Sequence, residues 1–126
     1  EIMIIGKYNV TTRNSEYGGI STKFYKLEKS IFWNELFLLW APRLTATVNY
    51  IKAKSELEKA LQDYMGRAFQ INENLFHIIK IQFSAIGLIN FFESRTTEGG
   101  LLEFISLTSK GKDYLIQNMA IKKSQP

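Results

Sequence analysis

Residues 106–115 read SLTSKGKDYL, and this stretch sets the end of a β-type run directly against the start of a helix. Thr108 has the hydroxyl side chain that favours an N-cap, so it can end the strand and begin the helix. Gly111 then falls in the first helical turn, where glycine costs stability unless another part of the chain passes close by. The stretch therefore predicts a last helix that approaches the preceding strands closely and runs to about residue 119. The residues expected to face inward are Tyr114, Leu115 and Met119.

The residues before this stretch predict a β-hairpin. INFFESR at 89–95 and LLEFISL at 101–107 have the composition of strands and enclose the turn sequence TTEGG. Gly99 and Gly100 can supply the positive φ angles that a tight tip needs. We therefore expect two antiparallel strands that protrude with glycines at their tip.

A helix is predicted between Asn72, which can cap its start, and Gly87, which can end it in the left-handed conformation. Leu88 would then contact Phe83, as in a Schellman motif. The apolar residues of this segment fall in two overlapping rows, so the helix should be buried over most of its circumference.

The first half of the chain predicts a hairpin and two further helices. Residues 2–10 and 20–29 have the composition of strands and are separated by turn-forming residues at 11–19. Ser30 is the expected N-cap of a first helix, which Pro42 ends.

The second helix is predicted to begin at Ser55. Glu58 lies three residues later, which is the spacing of a capping box. Gly66 is the expected end of this helix.

These elements in order predict an α+β winged helix. It has a three-helix core, a small antiparallel sheet with a glycine-tipped wing at 89–107, a C-terminal helix and an added N-terminal β-hairpin. We divide the chain into a hairpin extension at 1–29, a winged-helix domain at 30–121 and a disordered basic tail at 122–126.

The sequences AIGLINFFES, TTEGG and LEFISLTSKGKDYL resemble the end of the recognition helix, the wing and the LT-x-x-G turn of winged-helix repressors. The repressors in question are the bacterial multiple-antibiotic-resistance and PadR types, and the resemblance covers about residues 30–121. It implies a non-enzymatic DNA-binding module of the transcription-regulator kind. The long N-terminal hairpin replaces the usual helical dimerisation arm of these repressors.

A narrower resemblance rests on SIFWNELFLLWAPRL, FHIIKIQFSAIGLI and SLTSKG. Together they are similar to the C-terminal region of uncharacterised bacterial proteins with a TIR-like or nucleotide-hydrolase-like domain in front. This resemblance implies an accessory module of a signalling or defence protein. The chain opens with Glu1 and passes straight into IMII, so we expect it to be a piece of a longer polypeptide.

Composition narrows the function classes. The chain has 126 residues, no cysteine, and 16 Lys and Arg against 12 Asp and Glu, for a net charge of +4. Absent cysteine excludes disulfides, thiol catalysis and Cys-based zinc sites, and it favours a cytoplasmic location. The most apolar run, SIFWNELFLLWAP, is too short to span a membrane, so we expect no membrane-spanning segment.

Enzymatic chemistry is not expected. Glu73, His77, Lys80 and Ser84 fall on one helix face and offer an acid, a base and a nucleophile. Residues stacked along one helix form no cleft that binds a substrate. His77 is the single histidine, and no carboxylate cluster accompanies it, so neither a metal nor a cofactor is expected.

DNA binding would use that same face of the third helix in the major groove, with the wing on the backbone or minor groove. A second group of cations could contact the DNA backbone if it falls on the same side. The candidate residues are His77, Lys80 and Ser84 on the helix, Arg95 and Thr96 on the wing, and Arg67, Lys110 and Lys112 in the second group.

The competing hypothesis is a protein-interaction or oligomerisation module. The first helix has apolar side chains around its whole circumference, which is more apolar surface than packing against one core can bury. We therefore expect a homodimer. The N-terminal hairpin could instead cover this surplus. The expected interface residues are Phe32, Trp33, Phe37 and Trp40.

Overall fold

The computed structural model describes the backbone of residues 2–13, 20–44 and 46–124. It also describes the packing of Gly6 and the side chains of residues 25–44 and 46–119. Four α-helices and six strands make up the described chain, with a 3-10 turn at Ala41–Arg43. The helices are α1 Trp33–Trp40, α2 Tyr50–Met65, α3 Glu73–Ala85 and α4 Ser109–Ser124. The strands are β1 Ile2–Arg13, β2 Ile20–Ile31, β3 Val48–Asn49, β4 Gln70–Ile71, β5 Ile89–Arg95 and β6 Leu101–Leu107.

The strands form two antiparallel sheets, ordered β2-β1-β4 and β3-β6-β5. In the first, β1 and β2 pair from Ile2 opposite Ile31 to Arg13 opposite Ile20, which confirms the N-terminal hairpin and lengthens both strands. The hairpin is joined to the rest of the chain by β4, whose two residues pair with Gly6 and Lys7 of β1. Residues 14–19 of the expected turn lie outside the described residues.

The second sheet is the wing, and it matches the prediction. Strands β5 and β6 pair from Ile89 opposite Leu107 to Arg95 opposite Leu101. At the tip, Gly99 has a φ of 89°. Gly100 is not in the left-handed region, so the prediction of a second positive φ there is wrong. One left-handed residue is enough to reverse this chain.

The aromatic side chains of α1 are packed inside the domain. Phe37 and Trp40 are fully buried, and their rings contact Phe83 of α3 at centroid distances of 5.3 and 6.1 Å. Trp40 also donates a hydrogen bond from Nε1 to the carbonyl of Ala53, at 3.0 Å. Phe37 and Trp40 are therefore core residues, and their assignment to an interface is wrong.

The other two expected interface residues differ from each other. Trp33 is half-buried, with its ring 5.5 Å from that of Phe83. Phe32 is 59% exposed. The apolar surface of α1 is covered by α2, by the rings of Phe76 and Phe83 on α3, and by Tyr114 of α4, whose ring lies 5.7 Å from Phe37.

Two predicted helix starts are wrong, for one reason. Ser30 is part of β2, because the hairpin ladder pairs it with Met3, and α1 begins after Phe32 with no side-chain cap. The helix α2 begins at Tyr50, where the side chain of Asn49 accepts a hydrogen bond from the Lys52 amide at 2.8 Å. In both cases the helix follows a strand whose partner is distant in sequence: β2 precedes α1, and β3, with Asn49 opposite Phe104 of β6, precedes α2.

Glu58 has a tertiary role in place of the expected capping box. Its carboxylate accepts a hydrogen bond from the Ile71 amide, 2.9 Å away in β4. The helix α2 ends at Gly66, with a φ of 75°, as predicted. Glu58 thus ties α2 to the strand that precedes α3.

Arg43 of the 3-10 turn holds α2 from the other side. Its guanidinium contacts Glu56 at 3.1 Å and Asp63 at 2.7 Å. The hydrogen bond from Arg43 lowers the pKa of Glu56 below its ordinary value, with the nearby Lys59 acting in the same direction.

Helix α3 has the predicted start and end. The side chain of Asn72 accepts a hydrogen bond from the Leu75 amide. Gly87 has a φ of 80°. The Leu88 amide donates a hydrogen bond to the Phe83 carbonyl at 2.9 Å, and the Gly87 amide donates one to the Ser84 carbonyl at 3.0 Å. These two bonds form the Schellman motif.

Thr108 and Gly111 fix α4 against that same turn. The Thr108 hydroxyl donates to the Gly87 carbonyl at 2.6 Å and accepts from the Gly111 amide at 2.9 Å. The Thr108 amide donates to the Leu88 carbonyl at 3.1 Å. A Cβ on Gly111 would overlap the Leu88 carbonyl oxygen, so the close approach predicted from the sequence is confirmed.

Beyond this contact α4 differs from the prediction in two ways. Tyr114 and Leu115 face the core, but Met119 is 44% exposed. The helix continues to Ser124, so residues 122–124 of the expected disordered tail are helical; residues 125 and 126 lie outside the described residues. Within the described chain, no helix combines the length and apolar character needed to cross a bilayer.

The close contact at Gly111 predicts that a glycine-to-alanine substitution will destabilise this helix. In an ordinary helix, glycine to alanine stabilises by up to about 1 kcal/mol. We expect Gly111→Ala instead to destabilise the protein by roughly 1–3 kcal/mol, because the new methyl would force apart α4 and the Leu88 backbone. Urea denaturation followed by circular dichroism measures the difference. Gly100→Ala is the control and should be nearly neutral, since its Cβ would meet only Thr96, at 3.7 Å.

Candidate nucleic-acid interface

Helices α2 and α3 form a helix-turn-helix pair that the wing flanks. Lys54 of α2 and Glu73, the first residue of α3, form an ion pair at 3.1 Å that links the beginnings of the two helices. The beginning of α2 also carries Lys52, which is exposed. In proteins of this shape, the start of the second helix lies against the DNA backbone and the third helix enters the major groove.

The uncovered side of α3 is displaced from the face predicted to bind. Asn74, Ile78 and Ile81 are exposed there, together with Ala85. At 100° per residue, this side lies about 100° around the helix from the row of Glu73, Lys80 and Ser84. His77 is exposed between the two faces.

Lys80 is the clearest correction. It is only 7% exposed, and its Nζ lies 2.6 Å from Glu103 of β6 and 4.5 Å from the ring centroid of Phe91 on β5. The wing returns beside α3 and covers this position, so Lys80 joins α3 to both wing strands. It is structural and cannot reach DNA in this arrangement.

Ser84 is also placed less favourably than predicted. It is half-buried near the end of α3, where its carbonyl accepts the Gly87 amide in the Schellman motif. His77 is therefore the one predicted residue of α3 that is exposed on the helix surface.

The wing carries Arg95 on the side of α3. Side chains alternate between the two faces of a strand, so Arg95, Glu93 and Phe91 share the face that Lys80 contacts. Arg95 is exposed at the end of β5. Thr96 is half-buried, and its backbone closes the tip through bonds with Gly99 and Gly100.

Two of the three cations of the expected backbone patch lie on α4, and the third follows α2. Lys110 donates to the Ile86 carbonyl at 2.8 Å and so caps the end of α3, and Lys112 is exposed one turn into α4. Arg67 lies past the end of α2, in a cleft beside Leu27 and Lys29 of the hairpin strand β2. The 16-residue α2 places this end about 24 Å from the start that meets α3.

An acidic cleft of about 300 Å³ lies between α3 and the wing. Of its three carboxylates, Glu73 is paired with Lys54 and Glu103 with Lys80, while Glu93 has no ion-pair partner among the described residues. Glu93 lies directly opposite Glu103 in the strand pairing. The described residues contain no group of three His, Cys, Asp or Glu side chains that could hold a metal ion.

Sequence reasoning missed Lys52, Asn74 and the two exposed isoleucines, Ile78 and Ile81. Lys52 became a candidate only once Asn49 was known to cap the start of α2, six residues before the predicted cap at Ser55. The apolar rows of α3 suggested burial on nearly all sides, and only the position of the wing shows which row stays uncovered.

The chain shares its fold with two solved proteins whose names describe them as transcriptional regulators. A PadR-like transcription factor from Bacteroides fragilis superposes with a TM-score of 0.53 at 14% identity, over 72% of this chain and 82% of that one. A protein named as a transcriptional regulator from Thermoplasma acidophilum gives a TM-score of 0.51 at 18% identity, over 73% and 84% of the two chains. No family model and no curated protein matches. At these identities the likeness establishes the winged-helix fold.

Lys80 gives the second prediction. Glu103→Leu should destabilise the protein by on the order of 3 kcal/mol, because it leaves a buried ammonium without its carboxylate. The double variant Lys80→Met with Glu103→Leu should recover most of this loss, since an apolar pair of similar size needs no ion partner. Urea denaturation of the two single variants and the double variant measures the coupling. Equal losses for Glu103→Leu and the double variant would contradict a buried ion pair.

Proposed function

We propose that this chain is a non-enzymatic DNA-binding module of the transcription-regulator type. The observation that carries the proposal is the uncovered outer side of α3, held between the start of α2 and the wing in a winged-helix fold. Similarity in fold to two proteins named as transcriptional regulators supports it. In this proposal α3 enters the major groove and the wing lies against the adjacent backbone.

Two exposed cations are suited to phosphate contacts at the edges of this surface. Lys52 lies in the first turn of α2, beside the ion pair that joins α2 to α3. Arg95 lies on the wing, on the sheet face turned toward α3. A duplex seated on α3 would place one backbone near each of them.

The third prediction tests these contacts. Arg95→Glu and Lys52→Glu should each weaken binding to a mixed-sequence duplex, because each replaces an attraction for phosphate by a repulsion. Fluorescence anisotropy over a series of salt concentrations measures both the affinity and its salt dependence. Lys59→Glu on α2 is the matched control, since it makes the same charge change at an exposed position away from the start of that helix.

The salt dependence separates a local contact from a general charge effect. Arg95→Glu and Lys52→Glu should lower the slope of log affinity against log salt by about one unit each. Equal losses for all three variants would mean that only net charge matters. Absence of any duplex binding at low salt would refute the DNA-binding function.

Glu93 gives the fourth prediction. It faces the cleft between α3 and the wing, over which the DNA backbone would pass from the major to the minor groove. Glu93→Gln should therefore tighten DNA binding, by roughly 1 kcal/mol or less at this exposed position, through removal of a repulsion. Asp113→Gln on α4 is the control and should leave affinity unchanged. Weaker binding by Glu93→Gln would place the backbone elsewhere.

Two parts of the hypothesis concern partners. We propose a homodimer in a cytoplasmic setting, with Phe32 and the N-terminal hairpin as its candidate contacts, since Phe37 and Trp40 belong to the core. A TIR-like or nucleotide-hydrolase-like domain ahead of this chain is proposed on the sequence resemblance alone. Sedimentation of the chain at high micromolar concentration tests the dimer, and a clean monomer would refute it.

A further inference from the structure

The exposed surface of α3 has an unusual composition for a helix that enters the major groove. Ile78 is 49% exposed and Ile81 is 46% exposed. Asn74, four residues before Ile78, lies on the same side, and its side chain makes no hydrogen bond among the described residues. One amide and two branched apolar side chains thus form a continuous stripe at helical spacing.

These side chains match one kind of base edge. An asparagine amide can bond adenine in the major groove through N6 and N7, and apolar groups contact the C5 methyl of thymine. Both features belong to A·T pairs. Asn74 lies in the first turn of α3, where base contacts are usually made, and Ile78 and Ile81 follow one and two turns later on the same side.

The same helix lacks the groups that read guanine. Guanine O6 and N7 are most often bound by arginine or lysine. The sequence of α3, ENLFHIIKIQFSA, contains no arginine and one lysine. That lysine is Lys80, which is buried against Glu103 and Phe91.

We infer that α3 selects A·T pairs, with Ile78 and Ile81 against thymine methyl groups and Asn74 on adenine. This inference rests on the proposed DNA-binding function and names the base pairs that the site prefers. Burying one methyl group changes affinity about fourfold. Two such contacts should give a preference of roughly fifteenfold that depends on the methyl group itself.

The chain has another exposed surface that suits a protein partner better than this stripe does. Phe92 and Phe104 stack at 5.9 Å on the opposite face of the wing, and Phe92 is 47% exposed. That pair is aromatic and contiguous, as protein interfaces prefer. The isoleucines of α3 lie among Asn74 and His77, which are polar and exposed.

The test compares three duplexes of equal length with the intact chain at low salt. One is rich in A·T pairs, the second has the same sequence with uracil in place of thymine, and the third is rich in G·C pairs. Uracil lacks only the C5 methyl, so it isolates the contact proposed for the isoleucines. We expect the thymine duplex to bind roughly fifteenfold tighter than the uracil duplex.

Variants assign the effect to residues. The double variant Ile78→Ala with Ile81→Ala should bind the thymine and uracil duplexes equally, and alanine keeps the helix stable. Asn74→Ala should reduce the preference for the A·T duplex over the G·C duplex but keep the difference between thymine and uracil. Ile116→Ala is the control, because this isoleucine is 63% exposed on α4. It should change nothing.

The outcomes separate the two proposals. Binding with equal affinity for thymine and uracil duplexes would overturn the A·T inference and leave DNA binding intact. No binding to any duplex would overturn both. If the double isoleucine variant instead converts a self-associated protein to monomer in sedimentation, the stripe serves a second copy of the chain, and the A·T inference is wrong.

Discussion

The contact of Thr108 and Gly111 with the Gly87 turn determines how the helices and the wing meet. One hydroxyl bonds the Gly87 carbonyl and the Gly111 amide, so a single side chain ends α3, stops β6 and starts α4. Gly87 must be left-handed to present that carbonyl, and Gly111 must lack a Cβ to let α4 approach Leu88. Because three elements converge there, the wing is held beside α3 at a fixed distance.

That position of the wing decides which side of α3 is available. The returning strands bring Glu103 and Phe91 against Lys80, which withdraws the one lysine of the helix into a buried ion pair. A buried ion pair is weak in net stability but costly to break, so it fixes the angle between helix and sheet. The outer side of α3 is then defined by exclusion, and it carries an amide and isoleucines where a basic residue would be expected.

Local sequence signals predicted most of the fold. Asn72, Gly66 and Gly87 act on backbone groups within a few residues, and so does Thr108 where it caps α4, so these roles are visible without tertiary structure. The errors arose where distant partners decided the outcome. Ser30 is a residue type that often caps helices, but here it belongs to β2 and pairs with Met3. Phe37 is covered by Phe83, which lies almost fifty positions away. Distant contacts also decided the candidate site. Helical spacing correctly placed Lys80 on the same side of α3 as Glu73 and Ser84, but it could not show that the wing covers Lys80.

The scarcity of cations on the α3 side has a consequence for how such a domain could bind DNA. Non-specific affinity comes mainly from phosphate contacts and grows with their number. Among the described residues, Lys52 and Arg95 are exposed cations at the two edges of the α3 surface, Lys110 is engaged at the end of the helix, and Glu93 opposes them. A single copy would therefore gain little from the backbone, and its selectivity would come chiefly from base contacts. Two linked copies multiply such weak contacts through effective concentration, so duplex binding by this surface and assembly into a dimer would reinforce each other.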